Sequence, residues 1–140
     1  MRVNYIATLS PQGKVRFMLY TSSFIGEVYL RFLEWLIRPS DHKVFLIADR
    51  HPVHFRKLVQ QWLEAHSAQI EVFYLLPYSP QLNPVEYLNN DVKQQMHDKP
   101  PTRNLEELKY RVSSSLRQIQ NLPARVRNYF HHPDIAYAAV

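Results

Sequence analysis

The apolar run Val72-Phe73-Tyr74-Leu75-Leu76 meets Pro77, Pro80 and Pro84, three prolines within eight residues. Proline has no N–H to give a ladder, so a strand cannot continue through such a segment. Asn83 and Pro84 then open a helix. Asn is a favoured N-cap, Pro suits the first helical position, and Glu86 three residues after the cap completes a capping-box pattern. A carboxylate is thereby set in the first turn of a helix beside the end of a buried strand, where α/β proteins commonly place their chemistry. A second apolar run, Val44-Phe45-Leu46-Ile47-Ala48, ends at Asp49. Two acids at the ends of two buried strands suggest a shared divalent-metal or acid–base site. Each acid alone has a plainer reading: Glu86 as a capping glutamate, and Asp49 as a turn residue in Asp49-Arg50-His51-Pro52.

Periodicity assigns the rest of the chain. Val3, Tyr5, Ala7 and Leu9 alternate with polar residues as in a half-buried strand, Ser10-Pro11-Gln12-Gly13 is a turn, and Val15 to Tyr20 returns as the second arm of a hairpin. Ser22 or Ser23 can cap a helix carrying Ile25, Val28, Tyr29, Phe32, Leu33 and Leu36 at helical spacing, and Pro39 ends it. The continuous apolar run 44–48 predicts a strand covered on both faces. A helix from about Val53 to His66 would place Phe55, Leu58, Val59, Trp62 and Leu63 on one side. Strand–helix–strand order then implies a parallel pair with a right-handed crossover, so both strands end at one edge. The helix after Pro84 shows Val85, Leu88, Val92 and Met96 as its stripe and stops at Pro100-Pro101. Asn104 and Glu107 form a plausible capping box for a long helix whose stripe is Leu105, Leu108, Val112, Leu116 and Ile119. Asp91, five residues past Glu86, points away from it and reads as a surface residue.

One domain is expected over residues 1–140, since this length suits a single core and 46% of the residues are hydrophobic. There is no Cys, which removes disulfides and thiolate metal ligands. No apolar stretch approaches the roughly 18–20 residues that span a bilayer, so no membrane association is expected. The opening residues run straight into a strand pattern rather than a signal peptide, which suggests an intracellular protein. The formal charge of +5 is compatible with a nucleic-acid partner without requiring one. Residues 1–70 hold nine Lys/Arg against five Asp/Glu, and residues 71–140 hold eight against seven. Arg50, Arg56 and Lys57 follow Asp49 closely and could meet phosphates, with Lys93 a further candidate; a solvated helix face is the alternative for Arg56 and Lys57. His51 and His54 are three apart, but zinc would need two more ligands at workable spacing, and neither Cys nor a His-x₃-His pair supplies them.

Ile47-Ala48-Asp49-Arg50-His51-Pro52-Val53-His54, followed by Tyr74-Leu75-Leu76-Pro77-Tyr78-Ser79-Pro80-Gln81-Leu82-Asn83-Pro84-Val85-Glu86, resembles the catalytic core of DDE-type transposases. The likeness is to the bacterial insertion-sequence branch related to mariner elements. It extends through Glu86-Tyr87-Leu88-Asn89-Asn90-Asp91-Val92-Lys93-Gln94 and into Val126-Arg127-Asn128-Tyr129-Phe130 and Tyr137-Ala138. The resemblance implies a ribonuclease H-like α/β fold, a mixed sheet flanked by helices. It makes Asp49 the second and Glu86 the third acid of the catalytic set, with His54 either supporting them from behind or facing the substrate, and Asn83 supporting them from behind. It also implies Mg²⁺ or Mn²⁺ as cofactor, DNA as substrate, and a prokaryotic, nucleoid-associated setting in the cytoplasm.

The family's first acid lies on the sheet's first strand, before a hairpin like the one that opens this chain. Upstream of Asp49 only Glu27, Glu34 and Asp41 are acidic. The first two fall on the polar side of a predicted helix and Asp41 in a loop, so the fold is expected to be incomplete, lacking its first strand and first Asp. A missing central strand leaves apolar edges at Val3, Tyr5, Val44 and Leu46, which favours a homo-oligomer. Three functions follow. The chain is part of a transposase that cleaves and transfers DNA strands, inactive alone; or a non-catalytic remnant that binds DNA or itself; or an unrelated metal-dependent nuclease that recruits other acids.

Overall fold

The structure, a computed structural model, describes residues 2–138. Met1, which the sequence reading includes at the opening of the first strand, lies outside the described residues. The chain forms two compact units: Met1–Thr21 with Gln81–Val140, and Ser22–Pro80. Together they make a mixed α/β chain of small sheets flanked by helices.

In the first unit, β1 (Asn4–Leu9) and β2 (Val15–Tyr20) pair antiparallel with Asn4 opposite Tyr20 and Leu9 opposite Val15. Gly13 makes the turn at φ +96°, a backbone conformation that suits glycine because it has no Cβ. A Cβ there would also come within 2.5 Å of the Pro123 carbonyl oxygen, so this position is closed to side chains on two counts. The helices are α3 (Val85–His97), α4 (Leu105–Gln120) and α5 (Pro123–Tyr129). Their apolar stripes meet the hairpin in one core: Val15, Leu88, Val92, Val112, Leu116, Ile119, Val126, Tyr129, Phe130 and Ile135. Leu88 and Val92 are the inward positions that helical spacing predicts for α3. Asn104 caps α4 by accepting from Glu107 N–H at 2.8 Å, but the Glu107 carboxylate turns back to Arg103 N–H instead of closing the box on Asn104.

In the second unit, α1 (Gly26–Ile37) buries Val28, Tyr29, Phe32, Leu33, Leu36 and Ile37. Its cap position is Ile25, with no side-chain cap bond, so neither Ser22 nor Ser23 starts the helix as expected. β3 (Val44–Ala48) and β4 (Ile70–Tyr74) pair parallel, with Val44 opposite Ile70 and Ala48 opposite Tyr74. The expected single helix 53–66 is divided. Pro52–Phe55 is a 3₁₀ turn, Arg56 is extended, and α2 (Lys57–Ala65) begins after it. Only Val59 of α2 is buried, because the break rotates Phe55 and Leu58 out of the predicted stripe.

Two further expectations are corrected. The strands do not form one mixed sheet: β1 pairs with β2 and β3 with β4, giving two sheets of two strands each. Nor is β3 covered on both faces. Its burial alternates, and Phe45, Ile47 and Phe73 are 63%, 45% and 50% exposed on one face of the parallel pair. An unbroken apolar run shows that a strand could be covered on both sides, not that a layer is present on each.

Candidate active site

Asp49 follows the last residue of β3, and the fold turns its position into a defined one. Its Oδ1 accepts from the backbone N–H of His51 at 3.1 Å, a short turn of the kind Asp side chains make two residues on. His51 Nδ1 in turn accepts from Val53 N–H at 3.1 Å and starts the 3₁₀ turn at Pro52. That turn swings His54 back toward Asp49. His54 Nδ1 lies 2.7 Å from the Asp49 carbonyl oxygen and 3.5 Å from its Oδ1. A carbonyl can only accept, so Nδ1 carries the proton.

His54 is buried among aromatic rings that spacing alone does not reveal. Tyr29 of α1 lies 4.5 Å from it, Phe24 meets it edge-on at 6.3 Å, and Gln60 Nε2 donates to the His54 carbonyl at 2.6 Å. Burial pushes the imidazole pKa below its ordinary value, against the smaller opposing pull of the Asp49 carbonyl and carboxylate. The ring therefore stays neutral and orients Asp49 without cancelling its charge. Tyr29, buried beside it, has its hydroxyl pKa pushed up, by burial first and then by Tyr74 and Asp49.

The lowered pKa has a testable sign. Below its ordinary pKa of 6.5 the unfolded chain binds a proton at this ring that the folded chain resists. His54 therefore contributes stability above that pH, and the contribution is lost as the pH falls through it. Urea midpoints at pH 7.5 and 5.5 should drop further for the natural chain than for His54→Gln. Equal drops would show that the ring does not titrate with folding.

Arg50, beside Asp49, donates through Nε to the Leu75 carbonyl at 2.8 Å and ties the end of β3 to the end of β4. Arg56 and Lys57 are exposed at the start of α2. The proline segment has a strained member that its spacing does not announce: Tyr78 sits at φ +55° with its side chain wholly exposed. A bulky residue at positive φ carries a backbone cost and marks a segment held by its surroundings.

Glu86 lies in the other unit, in the first turn of α3, and is exposed. Asn83 behaves as a cap, its Oδ1 accepting from Val85 N–H at 3.0 Å. The reciprocal half of the capping box is not made: among the described residues no hydrogen bond or ion pair engages the Glu86 carboxylate. Its charge is felt by Tyr5, whose hydroxyl pKa is pushed up to about 12, by burial first and by Glu86 second. Tyr5 OH donates to Asn89 on the next turn of α3. Lys93 is exposed further along the helix.

Asp91 is not the surface residue that sequence suggests. Arg125 of α5 holds it with two bonds, at 2.7 and 2.6 Å, and Tyr129 OH donates to it as well. The Arg125 hydrogen bonds hold its carboxyl below the usual range. Asp91 is thus a bolt between two helices.

A family profile described as DDE superfamily endonuclease matches residues 1–109, a span that includes both Asp49 and Glu86. The chain belongs to the DDE superfamily endonucleases. A search of curated proteins finds no match. The DDE match stops short of the tail expected to share the likeness, so Val126–Phe130 and Tyr137-Ala138 lie beyond it. Members of this family act on DNA, generally with divalent metals. Among the described residues no three His, Cys, Asp or Glu side chains are grouped to hold an ion. No helix among them is long and apolar enough to cross a membrane.

Proposed function

We propose that this chain is part of the catalytic domain of a transposase of the bacterial insertion-sequence branch related to mariner elements, with a ribonuclease H-like fold lacking its first strand. Asp49 is the second and Glu86 the third carboxylate of the DDE set, and the first Asp lies outside these residues. Glu27 and Glu34 on the exposed side of α1, and Asp41 in the loop before β3, are unsuited to that role. The reading rests chiefly on Asp49: an exposed carboxylate at a strand end, oriented by a backbone N–H and by a histidine that stays neutral.

The donor chemistry fits Mg²⁺ or Mn²⁺. Asp49 and Glu86 offer hard oxygens that are exposed and not spent on Lys or Arg, as ions that keep part of their water shell require. His54 is assigned the role of orienting Asp49 rather than of ligand: its Nδ1 donates to the Asp49 carbonyl and its ring is buried among aromatic side chains. Two such cations, when bound, would activate the attacking oxygen and stabilise the leaving one. His51 N–H and His54 keep the Asp49 carboxylate from rotating away. Asn83 fixes the helix start that presents Glu86. Water attacks a phosphorus atom at the element end, freeing a 3′-hydroxyl, which then attacks a target phosphodiester and displaces its 3′-oxygen. Arg56, Lys57, Lys93 and the remaining N–H groups of Arg50 meet the DNA backbone, which positions the duplex without reading sequence.

The test is metal binding by the intact chain. One Mn²⁺ per chain should broaden amide signals around both Asp49 and Glu86. Asp49→Asn and Glu86→Gln should each weaken that binding by about 10-fold or more, since even residues behind the ligands cost 10- to 100-fold. Broadening confined elsewhere, or unchanged by both variants, would leave a non-catalytic domain that binds DNA or itself.

A further inference from the structure

The first turn of α3 is capped from one side only. Asn83 accepts from Val85 N–H, but the Glu86 carboxylate does not return to the cap. In a closed capping box that return bond secures the helix start and occupies the carboxylate in doing so. Helix ends fray where their terminal groups lack such ties. Glu86 is left free for a ligand, and the hold on its turn comes from the other end of the chain. Residues 131–138 meet the start of α3 twice. Tyr137 OH donates to the carbonyl of Leu82, 55 residues back and immediately before Asn83. The His132 ring lies flat on Tyr87, the residue after Glu86, with centroids 4.2 Å apart and planes at 11°. Tyr87 in turn stacks on Tyr129 of α5 at 5.9 Å.

The segment that makes these two contacts is itself anchored. Ile135, between His132 and Tyr137, is fully buried in the core with Val126, Tyr129 and Phe130. Ile135 N–H bonds to the His132 carbonyl and Ala138 N–H to the Ile135 carbonyl, each at 2.9 Å. Both arms are thereby fixed to one buried side chain.

We propose that residues 131–138 are a brace for Glu86, with Tyr137 and His132 holding the chain just before and just after the acid. They are positioning residues: neither bonds to the carboxylate, and together they fix the turn that presents it. The carboxylate stays unspent because the brace takes over what the closed capping box would do. The consequence for a metal ion rests on the role proposed above for Glu86. The brace itself does not.

Tyr137→Phe keeps the ring and removes only the donor, at an exposed position. In the intact chain it should speed exchange of the Val85, Glu86 and Tyr87 amides about fivefold, the worth of one hydrogen bond. These three N–H groups bond to Asn83 and Pro84, within the braced turn. His132→Ala should act in the same way, whereas His132→Phe, which keeps a flat ring against Tyr87, should not. The Mn²⁺ concentration that half-broadens the Glu86 amide should rise about fivefold in Tyr137→Phe. Gln120→Ala is the control for a general loss of stability, since it removes one hydrogen bond to the Val15 carbonyl in the same unit. It should change neither the exchange of these amides nor the Mn²⁺ affinity. Unchanged exchange in either Tyr137→Phe or His132→Ala, or an equal change in Gln120→Ala, would overturn the brace. Faster exchange with unchanged Mn²⁺ affinity, where Glu86→Gln does weaken it, would overturn the positioning of the carboxylate. If Glu86→Gln leaves Mn²⁺ binding intact, the metal role of Glu86 fails and the exchange rates alone decide the brace.

Discussion

A chain cut after Lys109 is expected to lose the cooperative fold of the unit made by residues 1–21 and 81–140. The DDE match ends at that residue, yet seven of the ten buried residues in the unit's core come after it: Val112, Leu116, Ile119, Val126, Tyr129, Phe130 and Ile135. Burying an aliphatic or aromatic side chain contributes roughly 1.5–3 kcal/mol. The lost burial is then about 10–20 kcal/mol, at least as large as the whole stability of a typical domain. Leu116→Ala alone should cost about 2–5 kcal/mol, because Leu116 is fully buried in the core of this unit. Urea denaturation followed by circular dichroism tests both. A sharp transition in the shortened chain would mean that the helices after Lys109 are accessory.

The intact chain is expected to leave supercoiled DNA essentially uncut in Mg²⁺ or Mn²⁺. On the function proposed above these residues supply two of three carboxylates, so one ligand and a charge that offsets the second cation would be lacking. Removing a single electrostatic stabiliser from an active site slows catalysis by about 10²–10³, and here the loss also weakens metal binding. Plasmid nicking assays over hours decide the matter. Divalent-dependent nicking that disappears in Glu86→Gln would disprove the incomplete-site reading and require a third acid among these residues.

The helices were legible where their apolar stripes are regular. Leu88 and Val92 on α3, and Val112, Leu116 and Ile119 on α4, occupy the inward positions that the 3.6-residue period assigns them. The parallel pairing of β3 and β4 also follows from element order alone. Asp91 was misread because its partners, Arg125 and Tyr129, lie 34 and 38 residues further on, where no helical repeat can point to them. The break at Arg56 was missed because Pro52 permits a helical start without dictating where the 3₁₀ turn stops. His54 was identified as a neighbour of Asp49, but its neutrality depends on Tyr29 and Phe24 around α1, which the local sequence does not encode.

Short-range chemistry belongs to the sequence by itself: the prolines that end β4, the Asn83 cap, the turn at Gly13 and the two acids that follow apolar runs. These depend on backbone geometry and on residues a few positions apart. The tertiary structure alone decided which strands are lateral neighbours, which face of β3 stays exposed, and that Glu86 is not bound back into a capping box. It also decided that Asp49 is steered by an uncharged histidine. Those outcomes rest on burial and on hydrogen bonds between distant segments, whose energies are set only once the chain has packed.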